Sequence, residues 1–134
     1  GNKVFDSYFK FCFERNPYDK VVSSYYYSLS YSKNYFSFEE YMKERGYISN
    51  NWHLYTDDDQ IIVDKIYKFE SLEVELTKLS KKLGIDIKLP EHKFKGKSRK
   101  KDSTYQDLIK IGSKEKERID KTFKREFETL GYKY

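Results

Sequence analysis

The chain has 134 residues, a length typical of one domain with its own core. Hydrophobic and charged residues each make up 37%, and the apolar share is rich in Tyr (14) and Phe (10), which argues against disorder. The single cysteine, Cys12, excludes a disulfide within the chain, and no Cys/His set has zinc spacing, so we expect no metal site. No apolar run approaches the roughly 20 residues of a transmembrane helix.

The positive charge of the chain is modest and local. Twenty-seven Lys and Arg residues against 22 Asp and Glu give a net charge of +5, and six of the nine residues of Lys93–Lys101 are basic. Asp57, Asp58 and Asp59 form an acidic run. This distribution favours an anionic cofactor or a polyanionic partner over general coating of nucleic acid, which we do not expect as the partner.

The most informative stretch joins a strand to a helix. Alternating aromatic residues predict a strand over Tyr8–Glu14. Asn16 can then cap a helix whose first position suits Pro17. The apolar face of this helix is predicted to contain Tyr18, Val21, Val22, Tyr25, Tyr26 and Leu29. Arg15 would lie at the helix N-terminus, where free N–H groups and the dipole favour an anion and a guanidinium suits phosphate.

The middle of the chain is predicted to contain a short helix, a loop and a second strand. Ser37 and Glu40 form a capping box for the helix, which we expect to end at Gly46. Tyr47–Gln60 has no helical period and is predicted to be a loop. Ile61–Glu70 is β-prone and is predicted to form the second strand.

Two further helices are predicted in the second half. Ser71 can cap the first, which Gly84 closes, and the second begins at Ser113 and stops at Gly131. His92–Thr104, basic and glycine-containing, is predicted to be a surface loop. The inward side of the first of these helices is predicted to carry Leu72, Leu76, Leu79 and Leu83.

The pattern predicts one domain, residues 1–134, mostly α-helical with two short strands. Two strands do not make a stable sheet by themselves. We therefore expect either a missing N-terminal portion that supplies partner strands, or a homo-oligomer that covers the exposed strand edges.

Residues 11–27, FCFERNPYDKVVSSYYY, resemble the 3′-phosphate-binding segment of sulfotransferases, especially the carbohydrate branch. These enzymes transfer a sulfuryl group from 3′-phosphoadenosine 5′-phosphosulfate to a hydroxyl. In that family an Arg-Asn-Pro-Tyr-Asp run is followed, eight residues after the Arg, by a Ser, and these positions are Arg15 and Ser23 here. The resemblance implies that both bind the 3′-phosphate, with Ser24 as a weaker candidate. It also implies an α/β parent fold with a P-loop-like core, of which this chain would be the C-terminal part.

Further segments follow in the family's order. Val63–Leu72 resembles its D-x-I-x-x-x-E-x-L segment, Leu89-Pro90 precedes a basic loop, and Phe127–Tyr132 resembles its closing F-x-x-F/L-G-Y. In the family, residues near the basic loop close over the 3′-phosphate. The candidates for that role here are Lys97, Ser98 and Arg99.

One departure from the family concerns the lysine-bearing loop that cradles the 5′-phosphosulfate. In the family this loop lies upstream of the Arg-Asn-Pro segment, whereas Gly1–Asp6 is too short to supply it. The chain is thus predicted to carry half of a cofactor site. Loss of the cation nearest the leaving group should cost on the order of 10² to 10³ in rate.

His53 is the candidate general base, because imidazole can accept a hydroxyl proton near neutral pH. The resemblance implies a carbohydrate or polysaccharide acceptor, in the cytoplasm of a bacterium or virus or in the Golgi lumen of a eukaryote. A rival hypothesis is a non-catalytic, tyrosine-rich module that binds nucleic acid or a polyanionic glycan through Lys93–Lys101 and exposed aromatic residues. A third is a fragment that folds but binds nothing.

Overall fold

A computed structural model describes residues 2–44, 50–89, 99 and 102–134. By contacts between residues the chain divides into two compact units, each made of two separate segments. The strand unit comprises Gly1–Arg15 and Asn51–Pro90, and the helical unit comprises Asn16–Asn50 and Glu91–Tyr134. In the part of the chain that is described, no helix combines the length and the apolar character needed to cross a membrane.

The strand unit is built around a parallel pair of strands. After helix α1 (Asn2–Ser7), which the sequence analysis did not predict, strand β1 (Phe11–Glu14) pairs with strand β4 (Lys65–Lys68). In this register Cys12 lies opposite Ile66. The first predicted strand is therefore confirmed in its C-terminal half.

The second predicted strand was too long at both ends. Only Lys65–Lys68 pairs with β1, and Phe69–Ser71 forms a 3₁₀ turn that leads into the next helix. Asp64, just before β4, accepts a hydrogen bond from the backbone N–H of Lys10 at 2.7 Å. This contact fixes the start of the pairing, and no local pattern encodes it.

The predicted loop over Tyr47–Gln60 was wrong for its described part. After a 3₁₀ turn at Trp52–Leu54, strands β2 (Thr56–Asp57) and β3 (Gln60–Ile61) form an antiparallel hairpin. Tyr47, Ile48 and Ser49 lie outside the described residues.

The turn of this hairpin explains the error. Asp58 and Asp59 have positive φ angles of 44° and 61°, as a two-residue hairpin turn requires, and aspartate tolerates that region better than most residues. The indole N–H of Trp52 also donates to the Asp59 carboxylate at 3.1 Å. An acidic run that looks like a solvated loop is thus a turn held by a buried tryptophan.

The core of the strand unit is small. Helix α4 (Leu72–Leu83) covers the parallel pair, and its Leu76 and Leu79 are buried with Tyr67 of β4. Gly84 ends the helix with a φ of 68°, as predicted. Leu83, which was predicted to face inward, is 37% exposed.

The helical unit contains the described elements α2 (Pro17–Tyr31), α3 (Phe38–Glu44), α5 (Lys114–Thr122) and α6 (Lys124–Leu130). A 3₁₀ turn at Tyr105–Asp107 precedes α5. Its buried core consists of Tyr18, Val21, Val22, Tyr25, Phe38, Met42, Ile109, Ile119 and Phe123. The apolar face predicted for α2 is thereby confirmed.

Local signals place the ends of these helices correctly. Ser37 and Glu40 exchange the two hydrogen bonds of a capping box, at 2.7 and 3.1 Å. The hydroxyl of Ser113 accepts from the N–H of Lys116 at 3.1 Å, which caps α5. Gly131 ends α6 with a φ of 68°. Gly46, the predicted end of α3, lies outside the described residues.

The last predicted helix is interrupted once. Phe123 has φ −107° and ψ 22°, so it ends α5 and precedes α6. Its side chain is fully buried in the core. Tertiary packing of this ring decides the break, which a continuous helical pattern from Ser113 to Gly131 does not reveal.

Candidate functional site

The first turn of α2 has the geometry that the sequence predicted. The side-chain oxygen of Asn16 accepts a hydrogen bond from the backbone N–H of Tyr18 at 3.0 Å, and the backbone carbonyl of Asn16 accepts from Lys20 at 2.9 Å. Pro17 occupies the first helical position, where its missing N–H removes no hydrogen bond. The N-terminus of α2 therefore lies at this turn, and the positive end of the helix dipole favours an anion there.

Arg99 of the basic segment lies at this first turn. Its Nη1 atom is 2.5 Å from the Asp19 carboxylate, and the pair is four-fifths buried, with side-chain exposures of 19% and 20%. Its Nε and Nη2 atoms donate to the hydroxyl and the carbonyl of Ser103, at 3.1 and 2.8 Å. The ion pair thus holds a predicted phosphate ligand against α2. Lys97 and Ser98 lie outside the described residues.

Ser23 and Ser24 lie on different sides of α2. Ser23 is half-buried and follows Asp19 by one helical turn, so both residues are on one side of the helix. Ser24 is exposed and points about 100° further round. The structure therefore brings Ser23 to the side of α2 that Arg99 contacts, and it does not bring Ser24 there.

Arg15 belongs to the strand unit, directly after β1. It is half-buried, and the centre of its guanidinium lies 4.9 Å from the centre of the Phe69 ring. Its backbone N–H is 3.4 Å from a carboxylate oxygen of Glu14, which is 3% exposed. A guanidinium over an aromatic face keeps its plane oriented and still presents donors at its edge.

The candidate base His53 is exposed in the 3₁₀ turn at Trp52–Leu54 of the strand unit. Its neighbours Trp52 and Tyr55 are buried and hold the turn. The turn therefore presents the imidazole of His53 to solvent.

A polar cluster inside the helical unit was not predicted. The hydroxyl of Tyr18 donates to Asp120 at 2.5 Å, and the ammonium of Lys116 donates to the other Asp120 oxygen at 2.8 Å. Burial and the bond to Asp120 raise the pKa of Tyr18, and the bond to Asp120 raises the pKa of Lys116. The i, i+4 spacing of Lys116 and Asp120 signals the ion pair, but nothing in the sequence signals Tyr18 as its third member.

An open cavity of about 540 Å³ lies beside α3 and α5. Its charged lining mixes carboxylates with cations, so it does not favour an anion. These side chains are Glu39, Glu40, Lys43, Lys114, Glu115 and Arg118. Within residues 2–44, 50–89, 99 and 102–134, no group of three His, Cys, Asp or Glu side chains is placed to hold a metal ion.

Comparison with known proteins identifies a relative but no named activity. No family model matches the chain, and no solved structure matches it. A protein of Archaeoglobus fulgidus described as "Uncharacterized protein" is 44% identical over 94 residues, which cover 66% of this chain and 78% of that protein. The chain therefore belongs to the same family as this archaeal protein.

Proposed function

We propose that the chain binds the 3′-phosphate of 3′-phosphoadenosine 5′-phosphosulfate and serves in sulfuryl transfer to a hydroxyl of a carbohydrate acceptor. The observation that carries the proposal is the side of α2 on which Ser23 and the Asp19–Arg99 pair lie. The resemblance to sulfotransferases implies that a serine on this helix and a basic loop near it bind the 3′-phosphate. Arg99 belongs to the basic segment for which the resemblance implies contact with the 3′-phosphate.

The hydrogen bonds of Arg99 support a role in holding an anion. A guanidinium has five N–H groups, and the contacts with Asp19 and Ser103 use three of them. Two N–H groups therefore remain for phosphate oxygens. Asp19 keeps the guanidinium in position without a ligand, which reduces the ordering cost of binding.

The contribution of this site to catalysis is anchoring. Sulfuryl transfer resembles phosphoryl transfer, in which positioning and electrostatic stabilisation supply most of the rate. Ser23 and Arg99 would hold the nucleotide by its 3′-phosphate and orient it, and the resemblance implies the same role for Arg15. The cation that stabilises the leaving phosphate would come from a residue other than these three.

The proposal is tested by thermal unfolding with nucleotides. We expect 3′-phosphoadenosine 5′-phosphate to raise the Tm, and AMP, which lacks the 3′-phosphate, to raise it far less. Arg15→Ala and Arg99→Ala should each abolish most of the rise, and Ser23→Ala should weaken binding about tenfold, since a hydrogen bond to a charged group contributes about 1.5 kcal/mol or more. Arg125→Ala, at an exposed position of α6, removes the same charge and is the matched control.

A different result would favour the binding-module hypothesis. If neither nucleotide changes the Tm, while RNA or heparin binds with a steep dependence on salt, the chain is a polyanion-binding module and the sulfotransferase proposal fails. An equal loss of the nucleotide effect in Arg125→Ala would show general electrostatic attraction and would also contradict a built phosphate site.

A further inference from the structure

The last two residues of the chain pack against the first turn of α2. The side-chain amide of Asn16 donates a hydrogen bond to the backbone carbonyl of Lys133 at 3.4 Å. The ring of Tyr134 meets the ring of Tyr18 edge-on, with the ring centres 5.2 Å apart at an angle of 90°. We call Lys133 and Tyr134 the C-terminal clasp.

The clasp is also anchored away from α2. The hydroxyl of Tyr134 donates to the carbonyl of Ile109 at 2.5 Å, and its ring lies edge-on to the ring of Tyr105 at 5.7 Å. The ammonium of Lys116 lies 5.1 Å from the centre of the Tyr134 ring and 5.2 Å from that of Tyr18. A cation at this distance is attracted to both rings. The clasp therefore joins the first turn of α2 to residues far along the chain.

Asn16 takes part both in the cap of α2 and in the clasp. Its side-chain oxygen accepts from the backbone N–H of Tyr18 at 3.0 Å, while its side-chain nitrogen donates to Lys133. A single amide can do both because it carries an acceptor and two donors. Loss of the clasp leaves the Asn16 side chain with one of these two contacts, so the cap becomes less fixed.

The clasp lies next to the candidate phosphate site along the chain. Tyr18, which the clasp contacts, is followed directly by Asp19, and the carboxylate of Asp19 lies 2.5 Å from Arg99. Both residues belong to the first turn of α2, so a displacement of Tyr18 moves the backbone that carries Asp19. The position of Arg99 therefore depends on how firmly this turn is held.

We propose that the C-terminal clasp is a conformational device that holds the first turn of α2 in the form that binds phosphate. A turn that is already ordered pays less entropy when a ligand binds. The coupling is reciprocal, so a bound nucleotide keeps the clasp in place. This coupling rests on the proposed function, whereas the holding of the turn does not. Tyr134 is thus a positioning residue that acts through Tyr18.

The coupling is tested by calorimetric titration of the whole chain with 3′-phosphoadenosine 5′-phosphate. Tyr134→Ala should weaken binding about tenfold, because the ligand must then order the turn. Tyr134→Phe, which retains the ring, should lose less than about threefold. Tyr41→Ala is the matched control, since Tyr41 is a half-buried tyrosine whose ring centre lies 5.6 Å from that of Tyr25, about two turns further along α2. It should leave the affinity unchanged.

The holding of the turn is tested by hydrogen exchange without nucleotide. The N–H of Tyr18 is bonded to the Asn16 side chain and that of Lys20 to the Asn16 carbonyl. In Tyr134→Ala both amides should exchange about tenfold faster, while the amide of Tyr25 should change less than about threefold.

The outcomes separate the clasp from the proposed function. Equal acceleration along the whole of α2, or none, overturns the clasp, because Tyr134 would then contribute only general stability or nothing. Nucleotide binding that Tyr134→Ala leaves unchanged, or that Tyr41→Ala weakens equally, overturns the coupling. If the nucleotide does not bind the unaltered chain, the sulfotransferase proposal fails, and faster exchange confined to the first turn still supports the clasp.

Discussion

The two units of the chain differ in how completely they bury their apolar side chains. The helical unit encloses a core in which Val22, Ile109, Ile119 and Phe123 are fully buried. The buried cluster of the strand unit consists of Tyr67, Leu76 and Leu79. Many apolar side chains of the strand unit stay exposed, and they include Val4, Phe5, Tyr8, Phe11, Ile61, Phe69, Val74 and Ile85.

The difference follows from how the backbone hydrogen bonds are made in each unit. Helices carry their own backbone hydrogen bonds, and caps and apolar faces specify them locally. A two-stranded parallel pair has one open edge on each strand and gains little stability without further strands or a covering layer. We therefore expect the helical unit to be the more stable of the two.

The largest expected loss of stability comes from truncating one buried side chain in each unit. Phe123→Ala should cost about 4 kcal/mol, and Leu79→Ala should cost about 2 to 3 kcal/mol because its smaller core can relax around the cavity. Hydrogen exchange measures both losses of stability. The amides of α5 report on Phe123→Ala, and the amides of α4 report on Leu79→Ala. An equal or larger loss for Leu79→Ala would contradict the ranking of the two units.

A smaller effect is expected from the helix caps. The Asn16 side chain accepts a hydrogen bond from the N–H of Tyr18, so Asn16→Ala should destabilise α2 by about 1 kcal/mol. Ser71 occupies the same position at α4 but makes no such bond, so Ser71→Ala should change the free energy of unfolding by less than about 0.5 kcal/mol. Urea unfolding followed by circular dichroism tests the pair, and a loss of similar size in both variants would remove the distinction.

The smallest expected effect is a loss of stability at low pH. Each unit contains a carboxyl group whose pKa lies below its ordinary value. In the strand unit the backbone N–H of Lys10 lowers the pKa of Asp64 from 3.8, and in the helical unit the backbone N–H of Ser37 lowers the pKa of Glu40 from 4.5. Both groups are at the surface, so the effect of each should be small.

The direction of this pH effect follows from linkage. A carboxyl group with a lowered pKa contributes its stability fully above the ordinary value, and that stability is lost as the pH falls through the folded value. Asp64→Asn should therefore flatten the loss of α4 protection below pH 3.8, and Glu40→Gln should flatten the loss of α3 protection below pH 4.5. If the two variants show the same dependence of hydrogen exchange on pH as the unaltered chain, Asp64 and Glu40 do not contribute to the loss of stability in acid.

The sequence predicted those features that depend on a few neighbouring residues. The Asn16 cap, the Ser37–Glu40 capping box and the ends at Gly84 and Gly131 are local signals, and all are present. At the candidate site the same logic predicted the first turn of α2, with Asn16 as its cap and Pro17 at its first position.

Features that depend on distant residues escaped the sequence analysis. The Arg99–Asp19 pair joins residues 80 positions apart, and the Tyr18–Asp120 bond joins residues 102 apart. The break at Phe123 depends on the core in which its ring is buried. Periodicity and capping rules contain no information on such partners.

The discontinuous helical unit has a consequence for the order of folding. The ring of Tyr134 packs against Tyr18 and Tyr105, and its hydroxyl donates to the carbonyl of Ile109 at 2.5 Å. Asn16 also donates from its side chain to the carbonyl of Lys133 at 3.4 Å. During synthesis α2 leaves the ribosome long before these partners exist, so the core of the helical unit closes only after Tyr134 has emerged.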